Sequence, residues 1–251
     1  ENQVKELNRL SVSYNKMLER LSDAFKIQRE FTENAAHELR TPLSLMQIQL
    51  DLYNSGKHPG NDADTIQTIK MVTEQNERLS KMVKTLLDMS ELQTVGRDET
   101  IIVNALIDEV LADLEPLAQE KNIKLIGKCK DVNMVGSDIL IYRLVYNLVE
   151  NAIKYNHSGG QVIVEAYQKE KQVYLSVEDT GSGIPEELKE RVFEPFFRVD
   201  KSRSRELGGV GLGLALVNEI VRVHDGSIAI RPNPSGGTII EVQFAVNRTT
   251  A

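Results

Sequence analysis

In the stretch Phe31-Thr-Glu-Asn-Ala-Ala-His-Glu-Leu-Arg-Thr-Pro-Leu-Ser44, a histidine sits among good helix formers. An acid follows it directly, a threonine stands one helical turn on, and a proline comes just beyond. A packed or solvated helical histidine requires none of Glu38, Thr41 and Pro42 at those spacings. Imidazole is the side chain that changes charge near neutral pH, so the pattern raises the question of what His37 does.

A second set of chemically capable residues lies between positions 143 and 213. On a helix turning about 100° per residue, Arg143, Asn147, Glu150, Asn151 and Lys154 fall on one arc, and the apolar residues Leu144, Val145, Leu148, Val149, Ala152 and Ile153 fill the rest. Two amides stacked one turn apart are costly to point at a core. They suit a place where neutral oxygens hold Mg²⁺ already bound to phosphates, since that ion keeps much of its water. A solvated helix face would carry the same residues. The strand-like run VYLSVED ends on Asp179 and is followed by Gly181 and Gly183. A carboxylate there could accept a hydrogen bond from the amino group of a base, although Asp-Thr-Gly is also a plain turn signal.

Gly208, Gly209, Gly211 and Gly213 come immediately before a predicted helix that Gly226 would cap. Free backbone N–H groups at a positive helix end make an anion cradle, and a flexible loop is the competing reading. No Gly-Lys-Ser/Thr follows, so this is not a Walker loop; no strand runs directly into it, which argues against a dinucleotide fingerprint. Between Asp179 and these glycines lies VFEPFFRVDKSRSREL, an aromatic-proline cluster followed by Arg198, Lys201, Arg203 and Arg205. Polar chain carrying basic side chains beside a phosphate cradle reads as a lid over ATP, or as a solvated basic loop.

The elements that must position these groups are legible from periodicity. Leu7, Leu10, Tyr14, Met17, Leu21, Ala24, Phe31 and Ala35, with Gln28 in the series, recur in alternating steps of three and four. That spacing predicts a parallel coiled coil leading without a break into the histidine stretch. The helical pattern continues through Leu43, Met46, Leu50 and Tyr53, with a bend expected at Pro42, and stops at SGKHPGNDAD. A second helix follows, with Ile66, Ile69, Val72, Leu79, Met82, Val83, Leu86 and Leu87 on its apolar face. Such a hairpin cannot bury a wide stripe alone and becomes a four-helix bundle as a homodimer. Beyond about Thr100, β-rich runs (IKLIGK, QVIVEAY, QVYLSVED, SIAIR, TIIEVQF) alternate with helices near 104–121, 138–155 and 212–224, which predicts an α/β sandwich. The chain is therefore expected to be multidomain: a signalling coiled coil over 1–28, an all-α dimeric hairpin over 29–95 and an α/β domain over 100–247.

Composition sets the outer limits. The 251 residues are 41% hydrophobic and 27% charged, which fits one to three globular domains. A net charge of −7 provides no overall positive field and argues against nucleic acid as a partner. Cys129 is the one cysteine, so no internal disulfide forms, and it reads as an incidental strand residue. No run approaches the roughly 18 apolar residues of a membrane span. A start at Glu1, with neither methionine nor a signal-peptide pattern, leads us to expect a piece of something longer. His58, His157 and His224 read as structural or solvent-facing, His224 at a helix end that favours positive charge.

Taken together and in order, HELRTP, NLVENAIKYN, DTGSGI, FEPFFR, GGVGLGLALV and the GGT at 236–238 resemble the motifs of the sensor histidine kinases of two-component signalling. The resemblance runs from about residue 25 to 246, and the first ~20 residues are similar to the second helix of a HAMP linker. It implies a dimeric helical hairpin followed by an ATP-binding domain of the histidine kinase, gyrase and Hsp90 type. His37 would then be the nucleophile that takes the γ-phosphoryl group of ATP, and Glu38 would hold the other ring nitrogen. Thr41 would place water for dephosphorylating the partner regulator, and Arg40 would assist with phosphate charge.

In the ATP domain the resemblance implies Mg²⁺ on Asn151 and Asn147, phosphate on Lys154, nucleotide packing on Tyr155, and the adenine amino group on Asp179. Gly181, Gly183, Ile184, Gly209, Gly211, Leu212, Gly213 and Thr238 would complete the ATP site, with Arg198 and Lys201 on the lid. Related ATPases of this fold carry a glutamate where Asn147 stands; an amide is no general base, so transfer to histidine is favoured over hydrolysis. Ala36 departs from the serine often found before the histidine, at little cost. The expected partners are a second copy and the receiver domain of a response regulator. The chain would be the cytoplasmic portion of a bacterial membrane sensor, anchored through segments outside this sequence. Rival readings are an ATPase clamp of the same fold and a degenerate dimeric scaffold.

Overall fold

The protein is described by a computed structural model covering residues 2–54, 62–92, 94–199 and 209–246, with side chains left undescribed at 2–12, 20, 23, 24, 27 and 62–64. It divides into two compact units, Glu1–Ser80 and Lys81–Ala251. The expected turn after Tyr53 lies largely outside the described residues, as does His58.

In the first unit, α1 runs unbroken from Asn2 to Asn54 and α2 begins at Asp62, ending at Glu91 in the second unit. No glycine interrupts the α1 sequence, and Pro42, its one proline, withholds a single hydrogen bond from the carbonyl of Glu38. The helix continues through it. Within this unit the Tyr53 hydroxyl lies 3.3 Å from Thr65 Oγ1, and an Arg78 guanidinium nitrogen lies 3.6 Å from a Glu38 carboxylate oxygen. Contacts that step outward along the two helices in opposite directions define an antiparallel hairpin. Tyr14, Met17 and Leu21 of the heptad series are exposed, as are Leu43, Ile66 and Ile69, so among the described residues these apolar side chains of α1 and α2 lie uncovered.

The second unit opens with β1 (Glu99–Ile102) and α3 (Val103–Glu120), then β2 (Lys124–Cys129), β3 (Asn133–Gly136) and α4 (Asp138–Lys154). A hairpin of β4 (Gln161–Lys169) and β5 (Gln172–Asp179) follows, then α5 (Gly213–Val223), β6 (Ser227–Pro232) and β7 (Thr238–Ala245). The five-stranded sheet has the order β2-β4-β5-β7-β6; β2 and β4 run parallel and the other neighbours antiparallel. One face is covered by α3, α4 and α5. Leu106, Ile107 and Val110, Leu144 and Leu148, and Val217 and Ile220 meet Val164, Val177 and Val242 in one core. Period-3.6 apolar stripes on three helices and period-2 alternation on the strands dictate this layering.

The mixed sandwich and its three helices stand where periodicity puts them, but β1 and β3 are additions. They pair with each other in a separate antiparallel ribbon, Glu99 opposite Gly136, that four-residue runs are too short to announce. At the end of α5 the left-handed residue is Asp225, at φ 54°, while the Gly226 N–H closes on the Val221 carbonyl at 2.9 Å. The reading of His224 as a favoured cation also changes. It is buried; its Nδ1 lies 2.8 Å from the Ile220 carbonyl, and its Nε2 accepts the Ser137 backbone N–H at 3.1 Å. A ring that donates at one nitrogen and accepts at the other is neutral.

Candidate functional site

Several segments distant in sequence open onto one cavity of about 390 Å³, within the range of small-molecule sites. From α4 come Asn147, Asn151 and Lys154, with Tyr155 just past the helix end; from the end of β5, the middle strand, comes Asp179. Gly183 and Ile184 follow in the next loop. Gly209, Gly211, Leu212 and Gly213 lead into α5, Thr238 begins β7, and Arg198 stands at the far wall. Of the nucleotide-site residues expected from the sequence, Gly181 supports Asp179 from behind, and Lys201 lies outside the described residues.

The amide pair is held, not merely exposed. Asn147 Nδ2 donates to the Arg143 carbonyl at 2.7 Å, which fixes the carboxamide. Its oxygen then faces the start of α5 so closely that a methyl on Gly213 would come within 3.0 Å. The glycine turn is equally constrained: Gly211 has φ 79°, and a methyl there would sit 2.6 Å from the Phe197 carbonyl. Phe196, itself at φ 66°, donates its N–H to the Gly211 carbonyl at 2.8 Å, so the aromatic cluster and the glycine turn fold as one piece. Arg191 lies 4.4 Å over the Phe197 ring.

Asp179 is set by two backbone donors on one oxygen. Oδ1 accepts the Gly181 N–H at 2.7 Å and the Thr238 N–H at 3.3 Å, which leaves Oδ2 toward the cavity for a ligand's amino group. Gly237, at φ 91°, admits the close approach, because any Cβ there would lie 2.2 Å from the Asp179 carbonyl. Burial pushes the Asp179 carboxyl above the usual range; the two N–H bonds pull it back only in part, and Glu178 adds to the rise. The proton is therefore held more tightly in the folded chain than in the unfolded one. The resulting penalty appears as pH rises through the unfolded value and is complete above the folded one. Asp179→Asn is accordingly expected to melt no lower than wild type at neutral pH. The same change should weaken ATP by roughly ten- to a hundredfold, the worth of a charged hydrogen bond. Wild-type affinity should fall as the medium is acidified into the raised range, and a titration series on the asparagine variant should be flat there.

Glu150, whose role the sequence leaves open, is buried beneath the α4 arc. It accepts from Lys81 on α2, and Lys154 Nζ lies 3.2 Å from the same oxygen. Burial alone would raise its carboxyl, but the two ammonium groups outweigh it and hold the group low; burial lowers Lys154. Lys81 and Thr85 line the cavity although no motif marks them, and an apolar α2 pattern gives no signal that could have found them.

Among the described residues no group of three or more His, Cys, Asp and Glu could hold a metal alone. The donor set present, two carboxamides and a cradle of backbone N–H groups, fits Mg²⁺ that arrives with phosphates. In the first unit His37, Arg40 and Thr41 are exposed on one face of α1, Glu38 is half-buried toward Arg78, and the Thr41 hydroxyl donates to the His37 carbonyl at 3.2 Å.

Residues 27–95 match the family described as His Kinase A (phospho-acceptor) domain, and residues 136–248 match the Histidine kinase-, DNA gyrase B-, and HSP90-like ATPase family. The chain is 35% identical over 247 residues to the sensor protein CutS of Streptomyces coelicolor, covering 96% of this chain and 58% of that protein. It is 32% identical over 248 residues to the signal transduction histidine-protein kinase ArlS of Staphylococcus aureus, covering 95% and 53%. It thus spans a little over half the length of these curated relatives. Among solved structures, histidine kinase ThkA in complex with response regulator protein TrrA is similar at 26% identity and TM-score 0.73, covering 89% of this chain and 63% of that one. The Acinetobacter baumannii histidine kinase AdeS is similar at 25% identity and TM-score 0.69, covering 84% and 98%.

Proposed function

Since the chain belongs to the sensor histidine kinases of two-component signalling, we propose that it phosphorylates His37 from ATP. It then passes the phosphoryl group to an aspartate of a separate response regulator, and it also catalyses removal of that group. The observation that carries this reading is the meeting of Asn147, Asn151, Asp179, Thr238 and the Gly209–Gly213 turn in one cavity. Support for the acceptor comes from an exposed imidazole on α1, and for the partner from the regulator named in the ThkA complex.

Asp179 and Thr238 hold the base, the helix start at Gly213 faces phosphate, and Asn151 with Asn147 would hold Mg²⁺, which when bound neutralises phosphate charge. An imidazole nitrogen of His37 attacks the γ-phosphorus, the bond to the bridging oxygen breaks, and that oxygen keeps the electron pair as ADP departs. Glu38 accepts from the second ring nitrogen, fixes the tautomer and stabilises the positive ring formed in the attack. No general base stands at Asn147 to activate water, so histidine competes well for the phosphoryl group.

The exposed apolar stripes of α1 and α2 fit a homodimer through a four-helix bundle, with a coiled coil over 1–28, the phosphotransfer hairpin over 29–95 and the ATP domain over 100–247. Among the described residues no helix is long and apolar enough to cross a membrane. Separately, the response-regulator partner proposed above, named in the ThkA complex, supports assigning the chain to the cytoplasmic side of a membrane-anchored sensor.

Incubation with γ-labelled ATP and Mg²⁺ tests the reading. Acid-labile, base-stable protein label supports it; steady phosphate release without label points to a clamp ATPase, and neither to a scaffold. Thr41→Ala is expected to keep autophosphorylation and to lose about tenfold or more in regulator dephosphorylation, the cost of misplacing an attacking water. A timed assay with labelled regulator reads the difference, and an unchanged rate would reject the role.

A further inference from the structure

Two ion pairs join the last turns of α2 to α4, and their polarities are reversed. Lys81 and Asp88 stand seven residues apart on α2, as do Arg143 and Glu150 on α4. Lys81 pairs with Glu150, and an Asp88 carboxylate oxygen lies 3.0 Å from an Arg143 guanidinium nitrogen. Seven residues are two turns, so each helix presents both charges on one face, and the two faces meet antiparallel. Lys81 and Thr85 bring this seam to the rim of the nucleotide cavity.

One of the two pairs has a third member. Lys154 shares the Glu150 oxygen that Lys81 holds, while the side-chain exposure is 10% for Glu150 and 16% for Lys154. One carboxylate thus serves two ammonium groups, and the excess positive charge at the cavity wall is what an incoming polyphosphate would complete. Lys154 can turn to phosphate only if Glu150 is not left buried and unpaired, because a stranded interior charge is far costlier than the pair it came from. Lys81, being half-exposed, can keep the carboxylate served without being buried itself.

Resting on the nucleotide site argued above, we propose that Lys81 is a positioning residue for ATP: from α2 it holds Glu150 so that Lys154 is released to the phosphates. Lys81 does not touch nucleotide in this arrangement and acts through Glu150. By linkage, phosphate binding in the cavity then strengthens the docking of the α2 end on α4, and that docking strengthens phosphate binding by the same factor.

Calorimetric titration of the whole chain with ATP and, separately, with adenosine, both with Mg²⁺ present, tests this. Lys81→Met is expected to bind ATP about tenfold more weakly, a discounted value for a half-exposed partner of a buried charge. Adenosine affinity should not move, and Lys81→Arg should bind ATP as wild type does. In Lys81→Met combined with Glu150→Gln, no carboxylate needs a partner, and ATP affinity should return to within about twofold of the Glu150→Gln variant. A Lys81→Met chain that binds ATP like wild type overturns the proposal. So does an equal loss for adenosine, or a double variant that recovers nothing, since both mark a purely structural contact. Wild-type chain that binds no ATP would overturn the nucleotide site itself, and this inference with it.

Discussion

Replacing His37 with glutamine is expected to lower protein labelling from γ-labelled ATP by at least about a thousandfold, as removal of a nucleophile does elsewhere. Glutamine keeps helix propensity and approximate length, so α1 should stay intact through residues 31–44. The hydroxyl of Thr41 bonds the backbone carbonyl of residue 37, not its ring, and that bond survives the change. What disappears is a nitrogen with a lone pair free to attack phosphorus; an amide nitrogen has none to offer. The ATP cavity is built wholly from residues 81 to 240, so nucleotide affinity should remain at the wild-type value, and this separates a lost acceptor from a lost fold. Label that persists in the glutamine chain would reject His37 as the acceptor.

The second large effect concerns the metal. Asn151→Ala is expected to abolish labelling to a similar degree, as is removal of Mg²⁺ by a chelator, while circular dichroism and the mass of the proposed homodimer stay unchanged. Asn151 is only partly buried, on the cavity side of α4, so truncation opens no core void. Alanine is also the better helix former. The loss would be one of phosphate charge compensation, to which a loose phosphoryl-transfer transition state owes most of its acceleration. Asn147 alone should not rescue the reaction, because one carboxamide oxygen, oriented by the Nδ2 bond to the Arg143 carbonyl, is left to do the work of two. Full activity in the alanine chain, or activity indifferent to the chelator, would refute the metal role.

Much of this protein is readable before any folding is considered. Heptad steps from Leu7 to Ala35 fix a long helix, and α1 indeed runs to Asn54. The arc of Arg143, Asn147, Asn151 and Lys154 is a property of helical angle alone, the β-branched run in QVIVEAY marks a strand, and alternation in TIIEVQF fixes one with a single buried face. These signals are local: they depend on residues a few positions apart, which backbone geometry places without help from the rest of the chain.

Other features depend on which distant surfaces meet. Asp179 receives the Thr238 N–H because β5 and β7 are neighbours, Glu178 opposite Ile239, a pairing that no stretch of either strand specifies. His224 finds the Ser137 N–H across 87 residues and loses its reason to be charged. Lys81 reaches Glu150 across 69, which gives an unmarked α2 lysine a place at the nucleotide site. Sequence by itself determined the chemical groups and the elements that carry them; tertiary structure decided which groups share an oxygen. Ion pairs and buried hydrogen bonds of this kind form only after loop closure has brought their partners within a few ångströms, and the core packing that pays for that closure is a property of the whole unit.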